Sequence, residues 1–156
     1  GEMSQVVRSA AAWFPGEGVV TLEGTDLELG YRRSIFSRRR GAVLSAVLEL
    51  TEGNREQIRA RMDEFNRRRR EKQPLEFPSA GSTFKRPEGH FAGALIEQCG
   101  LKGTRTGGAQ VSEKHAGFVV NTGNASCADV LALIEHIQKT VKAQTGVTLE
   151  PEVRIV

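Results

Sequence analysis

Apolar residues recur at helical spacing in three stretches and in short compact runs in several others. From Asn54, a good N-cap with Gln57 three residues on, Ile58, Met62 and Phe65 share one face. This predicts a helix of about four to five turns up to Lys72, with most of its arginines on the opposite face. Ser126 with Asp129 opens a long helix in which Val130, Leu133, Ile134, Ile137 and Val141 form one apolar stripe, and Gly146 ends it. Residues 92–99 predict a short helix with Leu95 and Ile96 inward and Gly100 as its stop. Residues 18–22 and 27–31 predict two strands joined by the Glu23-Gly24-Thr25-Asp26 turn. Residues 42–50, rich in Val and Leu, predict a buried strand ended by Thr51-Glu52-Gly53. Residues 109–111 and 118–121 predict further strands, and strand character resumes over 148–156. Pro74 and Pro78 bracket an extended linker, where a domain boundary belongs. Helices and strands alternate without fixing the sheet order, so the class is α+β, or mixed α/β.

Composition narrows the function classes. A chain of 156 residues, 38% apolar and 26% charged, suits one soluble domain or two small ones. No apolar run is long enough to cross a bilayer, and the start shows none of the marks of a secretory signal. Cys99 and Cys127 sit in helical patterns without metal-ligand spacing, so buried, reduced thiols are expected and a zinc site is not. The net charge of +3 is unevenly spread, with five arginines in residues 31–40 and four in succession at 67–70. A solvated helix face is the first meaning of such runs, and attraction of a diphosphate-bearing substrate the second. Nucleic acid comes third, because no aromatic platform or known motif accompanies the charge.

Residues 79–87, Ser-Ala-Gly-Ser-Thr-Phe-Lys-Arg-Pro, carry the chemistry. Gly81 permits a sharp bend that presents Ser82 on a corner, and Lys85 and Arg86 place cations suited to an anionic ligand nearby. By spacing alone Ser79 and Ser82 are equal candidates. Upstream stands Gly30-Tyr31-Arg32-Arg33-Ser34-Ile35-Phe36, and downstream Gly100-Leu101-Lys102-Gly103, Lys114-His115-Ala116-Gly117-Phe118 and Leu149-Glu150-Pro151-Glu152-Val153-Arg154. In that order these segments resemble the UDP-N-acetylenolpyruvoylglucosamine reductase (UDP-N-acetylmuramate dehydrogenase) family, flavin enzymes of bacterial cell-wall precursor synthesis. The resemblance spans nearly the whole chain and is closer to the shorter of the family's two subtypes.

The resemblance implies a reaction. NADPH reduces FAD, and the flavin passes hydride to the enolpyruvyl ether of UDP-N-acetylglucosamine enolpyruvate, leaving an enolate-like charge beside the substrate carboxylate. It implies Arg32 as the catalytic arginine; a guanidinium can give that carboxylate two parallel hydrogen bonds. Ser82 aligns with the proton donor, and even a weak acid can protonate so basic a carbon when well placed. Ser79 matches a more variable position and would cap a turn. Glu152 aligns with the catalytic glutamate, which either carries a proton or is paired with Arg32. Tyr31 is implied near that arginine, and Lys85, Arg86 and His115 near the diphosphate. His115 has a structural hydrogen-bonding role as its alternative. His90 and His136 read as surface residues. No site residue for FAD is identifiable, and no metal is implied.

The family's glycine-rich flavin segment has no counterpart here. Residues 1–75 are therefore expected to be the remainder of an α+β flavin-binding domain, residues 76–150 a small mixed α/β substrate-binding domain, and residues 151–156 the start of a final strand region. The expected setting is cytoplasmic, with no nucleic-acid or membrane partner and an open oligomeric state. A non-catalytic nucleotide-sugar-binding module is the competing reading.

Overall fold

The computed structural model describes residues 2–155. Gly1, which begins the first expected domain, and Val156, which ends the last expected strand region, lie outside the described residues. The chain divides into two compact units, Gly1–Ile58 and Arg59–Val156.

In the first unit, strands β1 (Val7–Phe14), β2 (Gly18–Glu23) and β3 (Ala42–Leu48) form an antiparallel sheet in the order β2-β1-β3. β1 alternates small buried side chains with exposed ones and ends on the fully buried Phe14. Its alanine-rich sequence gives only a faint two-residue period, and the sequence alone does not reveal it. Residues 27–31 do not form the expected strand. Gly24–Leu27 is a 3-10 turn instead, closed by Glu28 in the left-handed region at φ 47°, with Leu27 buried beneath it. β3 lies where expected but is exposed along its whole length, with Val43, Leu44, Val47 and Leu48 about half accessible. Its run of Val and Leu was expected to be buried. As an edge strand of a three-stranded sheet it is covered on neither face among the described residues.

Helix α1 (Arg55–Lys72) has the expected length, and Asn54 Oδ1 accepts the Gln57 N–H at 3.0 Å. Its Ile58, Met62 and Phe65 stripe is nonetheless exposed, and no residue of the helix is buried. Arg67 pairs with Glu71 at 2.8 Å and Arg68 with Glu64, each one turn away, so half of the four-arginine run is engaged on its own helix.

The second unit contains β4 (Ser79–Ser82), α2 (Ala92–Gln98), β5 (Arg105–Thr106), β6 (Ala109–Val111), β7 (Phe118–Asn121) and α3 (Cys127–Thr145). Its antiparallel sheet runs β4-β7-β6-β5. One core joins Ile96 of α2, Val111 of β6 and Leu133, Ile137 and Val141 of α3, all fully buried. The α3 stripe is buried as its period predicts, and the reciprocal bonds of Ser126 and Asp129 (2.9 and 3.1 Å) start the helix. Gly146 stops it at φ 76°. Of the two thiols, both free, Cys99 is half-buried and Cys127 exposed as the first residue of α3. The expectation that both are buried fails because the apolar stripe of α3 begins only at Val130. Residues 148–155 form an extended ribbon rather than a full strand, bridged at Pro151. The fold is thus α+β, a mixture of helix and sheet.

Candidate functional site

Tyr31 and Arg32 stand on the first unit at the tip of a tight turn. Gly30 N–H bonds Arg33 O at 3.0 Å and Arg33 N–H bonds Gly30 O at 3.2 Å, closing a two-residue loop. Such a loop calls for left-handed backbone, and Arg32 adopts it at φ 57°. A non-glycine residue there costs about 1–2 kcal/mol, a strain that clusters at functional sites. The Arg32 guanidinium carbon lies 5.8 Å from the Tyr31 ring centre, and Tyr31 is exposed. Downstream arginines are committed locally. Arg38 pairs with Glu28, and Arg39 pairs with Glu17 while its guanidinium carbon lies 3.8 Å over the Phe14 ring.

The second unit brings Ser82, Lys85, His115 and Glu152 into one neighbourhood. Ser79 pairs with Val120 but Ser82 with Phe118, so β4 spends three steps where β7 spends two. Gly81, at φ 86°, absorbs the extra residue, and Ser82 emerges exposed. Ser79 Oγ accepts the Gly81 N–H at 3.4 Å, the turn-bracing role expected of it.

Thr83, 3% exposed, follows. Its N–H bonds Gly117 O at 2.9 Å, its carbonyl accepts the Glu152 N–H at 2.8 Å, and its Oγ1 accepts the Val119 N–H at 3.0 Å. Lys85 N–H bonds Glu150 O at 2.8 Å, so residues 83–85 and 150–152 form a short antiparallel ribbon with Phe84 opposite Pro151. The two ladder bonds use the atoms flanking Pro151, and its missing N–H leaves no gap. The ribbon is anchored at Leu149, fully buried, whose carbonyl accepts Gln138 Nε2–H at 2.9 Å. The Glu152 backbone is thereby fixed opposite Thr83, one residue from Ser82, and Lys85 forms an ion pair with Glu150.

The Arg86 guanidinium carbon lies 4.0 Å over the exposed Phe91 ring. Lys114 Nζ donates to Arg70 O at 2.8 Å and faces Glu76 at 3.5 Å. His115 Nδ1 accepts the Gly117 N–H at 3.0 Å, which leaves the proton of the neutral ring on Nε2. A Cβ at Gly117 would stand 3.0 Å from His115 Cε1, so glycine admits the ring. The histidine therefore has the structural bond its base rate favours, with Nε2 left for a ligand. His90 and His136 are exposed, as expected.

Thr83 is the residue that motif reading misses. A buried β-branched hydroxyl directly after a Gly-Ser corner is the signal that could have found it.

One cavity of the first unit does not suit a flavin. That cavity, about 1030 Å³, includes Glu23, Glu28, Arg8, Arg33 and Arg38 in its lining. Arg8 pairs with Glu49 and Arg38 with Glu28, so two of its three arginines are engaged by acids where a pyrophosphate would need donors. Val7 and Leu29 are the only large apolar residues in that lining, too few to sandwich a three-ring system. No cluster of metal-ligating side chains is present among the described residues, and no helix among them is long and apolar enough to cross a membrane.

Residues 73–156 match the sequence profile described as UDP-N-acetylenolpyruvoylglucosamine reductase, C-terminal domain. The chain belongs to the UDP-N-acetylenolpyruvoylglucosamine reductase family. A protein of that name from Caldanaerobacter subterraneus subsp. tengcongensis is 52% identical over 155 residues, covering 99% of this chain and 51% of the relative. One from Clostridium beijerinckii is 53% identical with the same two coverages. The crystal structure of UDP-N-acetylenolpyruvylglucosamine reductase from Thermus caldophilus matches with a TM-score of 0.81 at 34% identity, over 99% of this chain and 54% of that one. The chain thus spans about half the length of the reductases it resembles, and the family and fold inferred from its motifs are both borne out.

Proposed function

We propose that this chain forms the substrate-handling portion of a UDP-N-acetylenolpyruvoylglucosamine reductase. Reducing an enolpyruvyl double bond requires a hydride on one carbon and a proton on the carbon that bears the carboxylate. Ser82 gives that proton from its hydroxyl, and the electron pair of the enolate-like intermediate forms the new C–H bond. Arg32 pairs with the carboxylate as negative charge spreads into it, an interaction stronger in the transition state than in the ground state. Glu152 orients or shares a proton beside Ser82. Lys85, Arg86 and His115 Nε2 bind the diphosphate, and Tyr31 packs against the substrate near Arg32.

FAD and NADPH are assigned to the complete reductase, where they supply the hydride. Residues 1–75 belong with the flavin-binding domain, residues 76–150 form the substrate domain, and residues 151–156 begin the last strand region. The setting is cytoplasmic peptidoglycan precursor synthesis, without nucleic acid or membrane.

The observation that carries this reading is the Thr83 ladder, which seats the Glu152 backbone one residue from the exposed Ser82 corner. In a chain completed to the length of its relatives, Ser82→Ala is expected to lower kcat by about 10²–10⁴-fold with little change in KM. An unchanged kcat refutes the assignment.

One observation favours a second reading, a binding module without chemistry: Lys85, Arg86 and His115 all stand on the unit that owns a closed core. Calorimetric titration with the UDP-sugar, with and without flavin, separates the two. Flavin-independent binding together with an inert Ser82→Ala favours the module.

A further inference from the structure

We propose that Thr83 is a positioning residue for the Ser82 corner and the Glu152 backbone, its hydroxyl adding a side-chain anchor to β7 beside the β4 bulge. The inference rests on the roles assigned to Ser82 and Glu152 above. Along β7, alternate N–H groups point toward β4. Asn121 N–H finds Pro78 O at 2.9 Å, as a regular ladder requires. Past the bulge, Val119 N–H is held by Thr83 Oγ1 at 3.0 Å, a side-chain bond made where the ladder is irregular. Val119 is 8% exposed, so the bond to Thr83 is made away from competing water.

The same residue holds the other two segments of the site. Its N–H ties it to Gly117, two residues from His115, and its carbonyl receives Glu152. A side-chain bond and two main-chain bonds thus radiate from one buried position to β7 and to the ribbon. Rotating or displacing Thr83 moves Ser82 and Glu152 relative to each other. Misplacement of a reacting group by about 1 Å can cost on the order of 100-fold in rate. Valine keeps the shape of threonine without the acceptor, serine keeps the acceptor without the methyl, and cysteine offers a weak one.

The test uses a chain completed to the length of its relatives, with kcat, KM and the Val119 amide proton shift measured for each variant. Thr83→Val is expected to lower kcat about 10–100-fold with KM within about threefold, and to move the Val119 amide resonance upfield. Thr83→Ser is expected to restore kcat to within about threefold and to return the resonance. A folded Thr83→Val with parental kcat, or Thr83→Ser as impaired as Thr83→Val, overturns the inference. Should Thr83→Val not fold, Thr83→Cys is expected to give an intermediate kcat; parental kcat with a displaced Val119 amide overturns it equally. Ser82→Ala is run in parallel. If it keeps the parental rate, the site assignment itself fails, whereas the Val119 shift still reports whether the Thr83 bond exists.

Discussion

The two units bury their apolar residues to very different degrees. In the second, α2, α3 and the four-stranded sheet close on one core in which Ile96, Leu133, Ile137 and Val141 are inaccessible. In the first, Phe14, Ala12 and Leu27 are buried, yet all of β3 stays open, as does the Ile58 position that begins the α1 stripe. Equally apolar sequences therefore have opposite fates, and the difference lies in whether a second layer exists to cover them. The side chains proposed for anion binding and proton donation stand on the unit with the closed core, where a site can be held rigidly. Arg32 stands on a strained turn of the other.

The largest effect that probes this contrast is a cavity in the closed core. Ile137→Ala is expected to cost about 2–5 kcal/mol, whereas Val47→Ala on β3 should stay within about 0.5 kcal/mol. Urea denaturation measures both, and equal losses would mean that β3 is covered after all. The turn of the first unit gives the next effect. Arg32→Gly relieves left-handed strain and is expected to raise thermal stability by about 1 kcal/mol while abolishing the proposed reduction. Ser126→Ala removes the α3 cap and should lose about 1 kcal/mol.

Asp129 adds a pH dependence. The Ser126 backbone N–H, then its hydroxyl, then the Gly108 N–H hold its carboxyl below the usual aspartate range. A depressed folded value means that the stabilisation is present above the unfolded aspartate range and is lost as pH falls through the folded value. Acid titration of helicity should show that loss, and Asp129→Asn should flatten it. The smallest expected change is Glu150→Gln, which breaks an exposed ion pair with Lys85 worth at most about 1 kcal/mol. It should alter UDP-sugar affinity severalfold at most, read by calorimetry. Finally, the purified chain is expected to show no visible flavin absorbance after desalting, and a yellow preparation would overturn that expectation.

Helices α1 and α3 were legible because caps and three-to-four-residue periods are local signals, carried by Asn54, Ser126, Asp129 and Gly146. The burial of β3 was not, because a Val-Leu run reads the same whether or not a covering layer is present. β4 was read only as a turn, since Ser, Ala and Gly have low strand propensity and its pairing depends on β7, some forty residues on. At the site, the Gly81 corner could be read directly, whereas the choice of Ser82 over Ser79 rested on the family resemblance. The union of Thr83 with Glu152 could not be read, because it is a contact between distant segments with no sequence period.

Pro151 has one more effect. Its ring fixes its own φ and biases Glu150 toward an extended shape before any pairing occurs. The tail that delivers Glu152 thus samples few shapes when detached, so re-docking surrenders little chain freedom, and the carboxylate arrives on a stiff arm rather than a tether.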